Sequence, residues 1–219
     1  FSTRWRFQFN AGKSEVMVFG QDQCPDQILH LGTDPIRTKQ SCVHMGVLLS
    51  SCKTQHMEHI DKKMQTCKRD LGAILSLGSP TAPVSTKIAS NLYRSLCLSK
   101  ICYGAEIAEI PKPCIDKIEQ FHGQAAKKIQ GLPPQSGNAA CLAPLGWISL
   151  QGNIDLLMMT FLWRMILLPI SSIYKQVLIA RLYHCIYEDG IHLGPVKQMV
   201  DVFLKYRLMS LLIPAVKSA

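Results

Sequence analysis

The chain has 219 residues, enough for one domain or one domain with a second lobe and too few for a large multidomain machine. With 47% apolar and 18% charged residues it has ample material to bury, which excludes an intrinsically disordered chain. Its 24 basic against 15 acidic residues give a net charge of +9, which favours a polyanionic partner.

From Arg4 to Ser50 the pattern is short and strand-like. Trp5, Phe7 and Phe9 alternate, Asn10-Ala11-Gly12-Lys13 is turn chemistry, and Val16 to Phe19 is β-prone, which together predict a hairpin. Asn10 and Ser14 are expected to hold that turn through side-chain to backbone hydrogen bonds. Two further runs, Ile28 to Leu31 and Cys42 to Leu49, are punctuated by Gly32-Thr33-Asp34-Pro35 and complete a small antiparallel sheet.

Beyond Ser51 the period becomes helical. Met57, Ile60, Met64, Cys67, Leu71 and Ile74 recur at spacings of three and four and form one apolar face, and the other face is expected to carry Lys62, Lys63, Lys68 and Arg69. Gly78, Ser79 and Pro80 stop this helix; Pro83 opens a second with the stripe Val84, Ile88, Leu92 and Leu96. A third, about 113–130, buries Ile115, Ile118, Phe121 and Ile129 and closes at Gly131, Pro133 and Pro134. Further helices are expected near 137–145, 150–168, 171–187 and 195–212, each bracketed by Gly, Pro or Ser.

The fold class that follows is α+β, predominantly α: a small antiparallel β element at the N-terminus, a multi-helix segment and a C-terminal helical bundle, with divisions at 1–50, 51–110 and 111–219. The longest apolar stretch, Ile154 to Ile170, is interrupted by Arg164 and ended by Pro169, so it reads as a buried helix and not a membrane span. Nine cysteines lack any C-x-x-C pair and are odd in number, so they read as small core residues of a protein in a reducing compartment, cytoplasmic or nuclear. His56 and His59, with Cys52 nearby, have a loose metal-ligand spacing, but no second pair completes a tetrahedral set and no metal is predicted. The chain opens at Phe1 within a β pattern, which reads as a piece of something longer.

Three stretches in order carry a likeness: Trp5 to Phe19 with Asn10-Ala-Gly-Lys13-Ser14, then Val43-His44-Met45-Gly46-Val47, then Cys102-Tyr103-Gly104-Ala105-Glu106-Ile107. This series resembles the reverse transcriptases of non-LTR (LINE-type) retrotransposons downstream of their catalytic loop. In that family an N-x-x-K-[ST] turn follows the active-site aspartates, a Leu-Gly hairpin forms the primer grip, helices form the thumb, and Tyr-Gly-Ala-Glu follows. The likeness continues through Gly131-Leu132-Pro133 and Leu145-Gly146-Trp147 to about Asp155 and is only general beyond. Met45 stands where the family prefers Leu, and Ala108 where an aromatic often stands.

The resemblance implies a palm edge and thumb. Lys13 would lie near the nucleotide triphosphate, with a solvent-facing turn lysine as the plain alternative. His44, Met45, Gly46 and Val47 would approach the primer backbone, or form a simple strand with a Gly bulge. Lys62, Lys63, Lys68 and Arg69 would contact phosphates of an RNA/DNA or RNA template-primer, or be a solvated helix face. The metal-binding aspartates and their Mg²⁺ would lie upstream of Phe1; within the chain the adjacent acids are Glu188-Asp189, read as a solvated helix end. Polymerisation by this chain alone is therefore not expected. A second possibility is a repurposed interaction or oligomerisation module, because Leu156, Leu157, Met158, Phe161, Leu162, Trp163 and Ile166 make a helix apolar nearly all round; a third is a remnant with no activity.

Overall fold

The computed structural model describes residues 2–6, 9–18, 28–50, 53–79, 82–108, 110–188 and 194–217. The chain is α+β and predominantly α, with short strands and long helices. It forms two compact units, Phe1–His59 and Ile60–Ala219, each described by itself. Residues 60–110 thus belong to the same unit as 111–219.

In the first unit, α1 (Ser2–Trp5) is a single helical turn, followed by a 3₁₀ turn over Ala11–Lys13. The expected strand through Trp5 is therefore corrected to helix; Phe7, and Phe19 at the end of the β-prone run, lie outside the described residues. Aromatic alternation makes a strand only where a partner strand and a covering layer exist, and Trp5 and Phe9 are both exposed. The strands are β1 (Glu15–Val16), β2 (His30–Leu31), β3 (Asp34–Pro35), β4 (Arg37–Thr38), β5 (Ser41–His44) and β6 (Val47–Ser50). They form separate two-stranded ladders, β1 with β4, β2 with β3 and β5 with β6, in place of one antiparallel sheet. The β1–β4 pair is parallel, with Glu15 opposite Arg37 and an ion pair from Lys39 to Glu15, so no hairpin joins it.

The second unit is organised by helices. α2 (Lys53–Leu75) begins in the first unit and carries the expected stripe, with Ile60, Met64, Cys67, Leu71 and Ile74 all buried. A tight hairpin of β7 (Gly78–Ser79) and β8 (Ala82–Pro83) follows; Pro80 lies outside the described residues. The next helix runs from α3 (Thr86–Tyr93) through a π turn at Arg94–Leu98 into α4 (Ser99–Cys102). Ser85 caps it, its hydroxyl accepting from the Ile88 N–H at 3.4 Å. Its stripe is a correction: Ile88 and Leu96 are exposed, and the buried line is Ala89, Ser90, Tyr93, Cys97 and Ile101. Small Ala89 and Cys97 admit close helix approach, and Tyr93 satisfies its hydroxyl internally, so hydrophobicity ranking alone chose the wrong face.

α5 (Lys112–Gln130) is the central element, burying Ile115, Ile118, Phe121 and Ile129 as the spacing predicts. Gly131 ends it at φ 66°, where the Gly131 N–H reaches the Lys128 carbonyl and the Leu132 N–H that of Lys127. Then come α6 (Asn138–Leu142), a 3₁₀ turn, α7 (Leu150–Ile166), α8 (Ile173–Tyr187), α9 (Pro195–Lys205) and α10 (Met209–Lys217). α7 buries one line only, Leu150, Ile154, Met158 and Leu162, leaving Leu156, Leu157 and Trp163 exposed. The single helix expected over 195–212 is two, because the chain breaks at Arg207, whose φ is 57°. The Leu208 N–H bonds the Phe203 carbonyl at 2.8 Å there, a helix-ending turn without glycine. Among the described residues no helix is long and apolar enough to cross a membrane.

Candidate nucleic-acid interface

The turn that bears Lys13 is built as its side chains dictate. The Lys13 N–H is accepted by Asn10 Oδ1 at 3.2 Å, and the Ser14 hydroxyl donates to the Asn10 carbonyl at 2.9 Å. Lys13 itself is exposed. The second motif is a two-residue hairpin: His44 pairs with Val47 at the end of β5–β6, and Met45 and Gly46 form the loop with φ of 51° and 80°. Positive φ at both positions is the type I′ turn, whose twist matches the flanking strands, so this is a tight hairpin and not a Gly bulge. His44, Met45 and Gly46 are exposed and Val47 is half-buried.

The four cations of α2 do not share one face. At about 100° per residue, Lys62 and Arg69 fall opposite Cys67, Lys68 falls on the flank and Lys63 falls within about 40° of the core. The structure follows that wheel: Lys62, Lys68 and Arg69 are exposed and Lys63 is half-buried. Lys63 Nζ donates to the Tyr103 carbonyl at 3.1 Å, and burial holds its pKa below the ordinary lysine value. Lys63 is thereby removed from the outward cationic face and tied to the end of α4, where Gly104 takes φ 78° in the Tyr-Gly-Ala-Glu turn. Arg69 donates to Thr66 Oγ1 at 3.3 Å.

Lys68 borders a cleft that sequence reading does not identify. One cavity of about 340 Å³ lies between α2 and α5, lined by Lys68, Leu71, Gly72 and Leu75 on one side and Phe121, Gln124 and Lys128 on the other. A second, about 440 Å³, shares Gln124 and Lys128 and continues past Gln120 and Lys127 toward Asn138. Gln120, Gln124 and Lys128 recur every four residues, an exposed polar ridge on a helix that buries its opposite flank. That ridge is visible in the sequence; what hides its use is that its partner, Lys68, stands on another helix.

α5 is held in place by a buried polar cluster. His122 Nε2 donates to the Ile148 carbonyl at 3.1 Å, because a carbonyl can only accept, which leaves Nδ1 to accept from the Tyr93 hydroxyl at 3.0 Å. Tyr93 and His122, 5.7 Å apart, both stack against Trp147, with ring centroids 4.5 and 4.9 Å from the indole, whose N–H donates to Ser90 at 2.9 Å. Burial is the main cause that lowers the His122 pKa and raises that of Tyr93, so both are neutral.

The thiols of Cys67 and Cys97 and the carboxylate of Asp70 gather within 4.8 Å of one another. Each thiol donates to the other's backbone carbonyl, at 3.6 and 3.5 Å, and Lys100 pairs with Asp70 at 2.6 Å, so these donors already have protein partners. His56 Nε2 lies 3.2 Å from the Ser50 carbonyl; Cys52 is outside the described residues. Glu188 pairs with His184 at 2.5 Å, a helix-end contact, and Asp189 is likewise outside them. Comparison with known protein families, with curated proteins and with solved structures finds no match.

Proposed function

We propose that the chain is the palm edge, thumb and following helical region of a non-LTR-type reverse transcriptase, and that it binds a template-primer duplex without sequence preference. The observation that carries this reading is the outward charge of α2. Lys62, Lys68 and Arg69 are exposed on a helix placed, in sequence order, directly after a tight hairpin of the primer-grip type. A cation row of this kind contacts phosphates and reads no base, since no aromatic side chain interleaves with it. With no paired aspartates in the sequence, the reading is one of binding and not of polymerisation; an upstream palm and fingers half would supply the Mg²⁺ site. Titration of the purified chain with an RNA/DNA hybrid tests it. The logarithm of the affinity is expected to fall linearly with that of salt, by about 0.9 per phosphate neutralised, whereas binding that is absent or indifferent to salt refutes the reading.

A second reading, an interaction or homo-oligomerisation module, is favoured by the exposed apolar residues of α7 and α8: Leu156, Leu157, Trp163, Ile173, Tyr174 and Val177. Light scattering over a concentration series separates the two. A monomer that binds hybrid supports the first, and an oligomer without nucleic-acid affinity supports the second.

A further inference from the structure

We infer that the cleft between α2 and α5 seats one sugar-phosphate strand, with its phosphates held between Lys68 and Lys128. The inference rests on the template-primer reading and extends the contact from one helix to two.

Charge is the first ground. Several lysines of this unit are paired with acids, Lys117 with Asp61, Lys112 with Asp116 at 2.8 Å, Lys100 with Asp70 and Lys197 with Asp201 at 2.5 Å, but what marks Lys68 and Lys128 is that both border one cavity. Among the described residues no Asp or Glu lines either cavity. Two lysines bordering one cavity without a carboxylate make it a place where an anion is favoured. The macrodipole accounts for Lys127 and Lys128 standing in the last turn of α5, and Lys127 also donates to the Pro134 carbonyl at 2.8 Å. It does not account for Lys68, in the middle of α2.

The second ground is shape and donor chemistry. Gln124 and Gln120 offer amide N–H groups spaced along the cleft, suited to phosphate oxygens and ribose hydroxyls. Leu71 and Phe121 give an apolar floor on which a sugar face can rest. At Gly72 a Cβ would meet nothing within 4 Å, so the backbone there is open to close approach. An isolated small anion would need only the two lysines; the row of amides beyond Lys128 fits a strand that continues.

The test is fluorescence anisotropy of the full chain with a labelled RNA/DNA hybrid over a salt series. Lys68→Gln and Lys128→Gln are each expected to reduce the salt slope by about 0.9, and Lys87→Gln, exposed on α3 and outside the cleft, to leave it unchanged. Lys128→Glu places an acid opposite Lys68 and is expected to weaken hybrid binding more than tenfold, while the thermal midpoint falls by no more than the few degrees that an acid at the C-terminal end of α5 costs, which separates lost binding from lost folding. If wild type binds with a steep slope that Lys68→Gln and Lys128→Gln leave intact, the cleft is refuted and the template-primer reading stands. If wild type does not bind, that reading fails and the cleft with it. Slope loss in Lys68→Gln alone also overturns the two-helix grip.

Discussion

The two units of this chain are built on opposite economies of burial. In the first, two- and four-residue strands pair only in twos, and Ala11 is the single buried residue among those described. In the second, α5 alone buries nine residues, and helices pack around it with Tyr93, Leu150, Leu162 and Leu182 fully enclosed. Isolated two-stranded ladders are marginal in water, whereas a helix buried on most sides is fixed by its neighbours. The second unit therefore has the means to fold by itself, and the first shows backbone order with almost no burial among its described residues.

The largest expected effect tests that contrast directly. Leu162→Ala removes a fully buried side chain from α7 and is expected to cost about 2–5 kcal/mol in urea unfolding of the helical signal. Leu48→Ala, at a half-buried position of β6, is expected to leave the same transition within about 0.5 kcal/mol. Equal effects would mean that the first unit shares the second's cooperative core.

Next in size is Asp155, buried on α7. Its Oδ2 accepts from Lys205 Nζ at 2.6 Å and from the Tyr206 hydroxyl at 2.9 Å, and its Oδ1 from Gln151 Nε2 at 2.7 Å. The hydrogen bond to Asp155 is the main cause that raises the Lys205 pKa. Asp155→Asn keeps the shape but turns a donor toward groups that donate, and about 2–3 kcal/mol of stability should be lost. Lys205→Met should cost less, because Lys205 is largely exposed and two donors remain on the carboxylate.

His122 gives the contrast a pH dependence. Its folded pKa is lowered from 6.5, mainly by burial, opposed by the hydrogen bond to the Ile148 carbonyl and by Glu119, with Tyr93 on its other nitrogen. The unfolded chain then binds the proton more readily, so stability is full above about 6.5 and is lost as pH falls toward the depressed folded value. The urea midpoint of the second unit should drop between pH 7.5 and 5.5. His122→Gln should flatten that part of the profile, and an unchanged slope in the variant would assign the effect to other groups.

How much of this was legible follows from the distances over which each feature is decided. α5 could be read because its stripe and its Gly131 stop are local, and so could the Asn10 turn, whose bonds span three and four residues. The stripe of α3 was misplaced because Tyr93 is buried by His122 and Trp147, which lie far along the chain. Lys63 looked like part of a cationic face until Tyr103, forty residues on, took its ammonium group. The break at Arg207 had no Gly or Pro to announce it. Lys128 is hidden for the same reason as the cleft: its value depends on Lys68, across a space that no spacing rule describes.

The smallest effect concerns a place where the weak unit carries strain, the loop between β5 and β6. Met45 holds φ 51°, a left-handed conformation that costs a residue with a Cβ roughly 1 kcal/mol, and Asn is far better suited to the first position of a type I′ turn ahead of Gly46. Met45→Asn should therefore slow amide exchange of β5 and β6 by about fivefold, the equivalent of 1 kcal/mol, and leave exchange in α5 unchanged. If the loop grips a primer through its backbone, hybrid affinity should hold or improve, since the turn is only made firmer. A fall in affinity with firmer exchange would show that the Met45 side chain itself makes the contact, and would move the primer-grip comparison from the hairpin's shape to that residue.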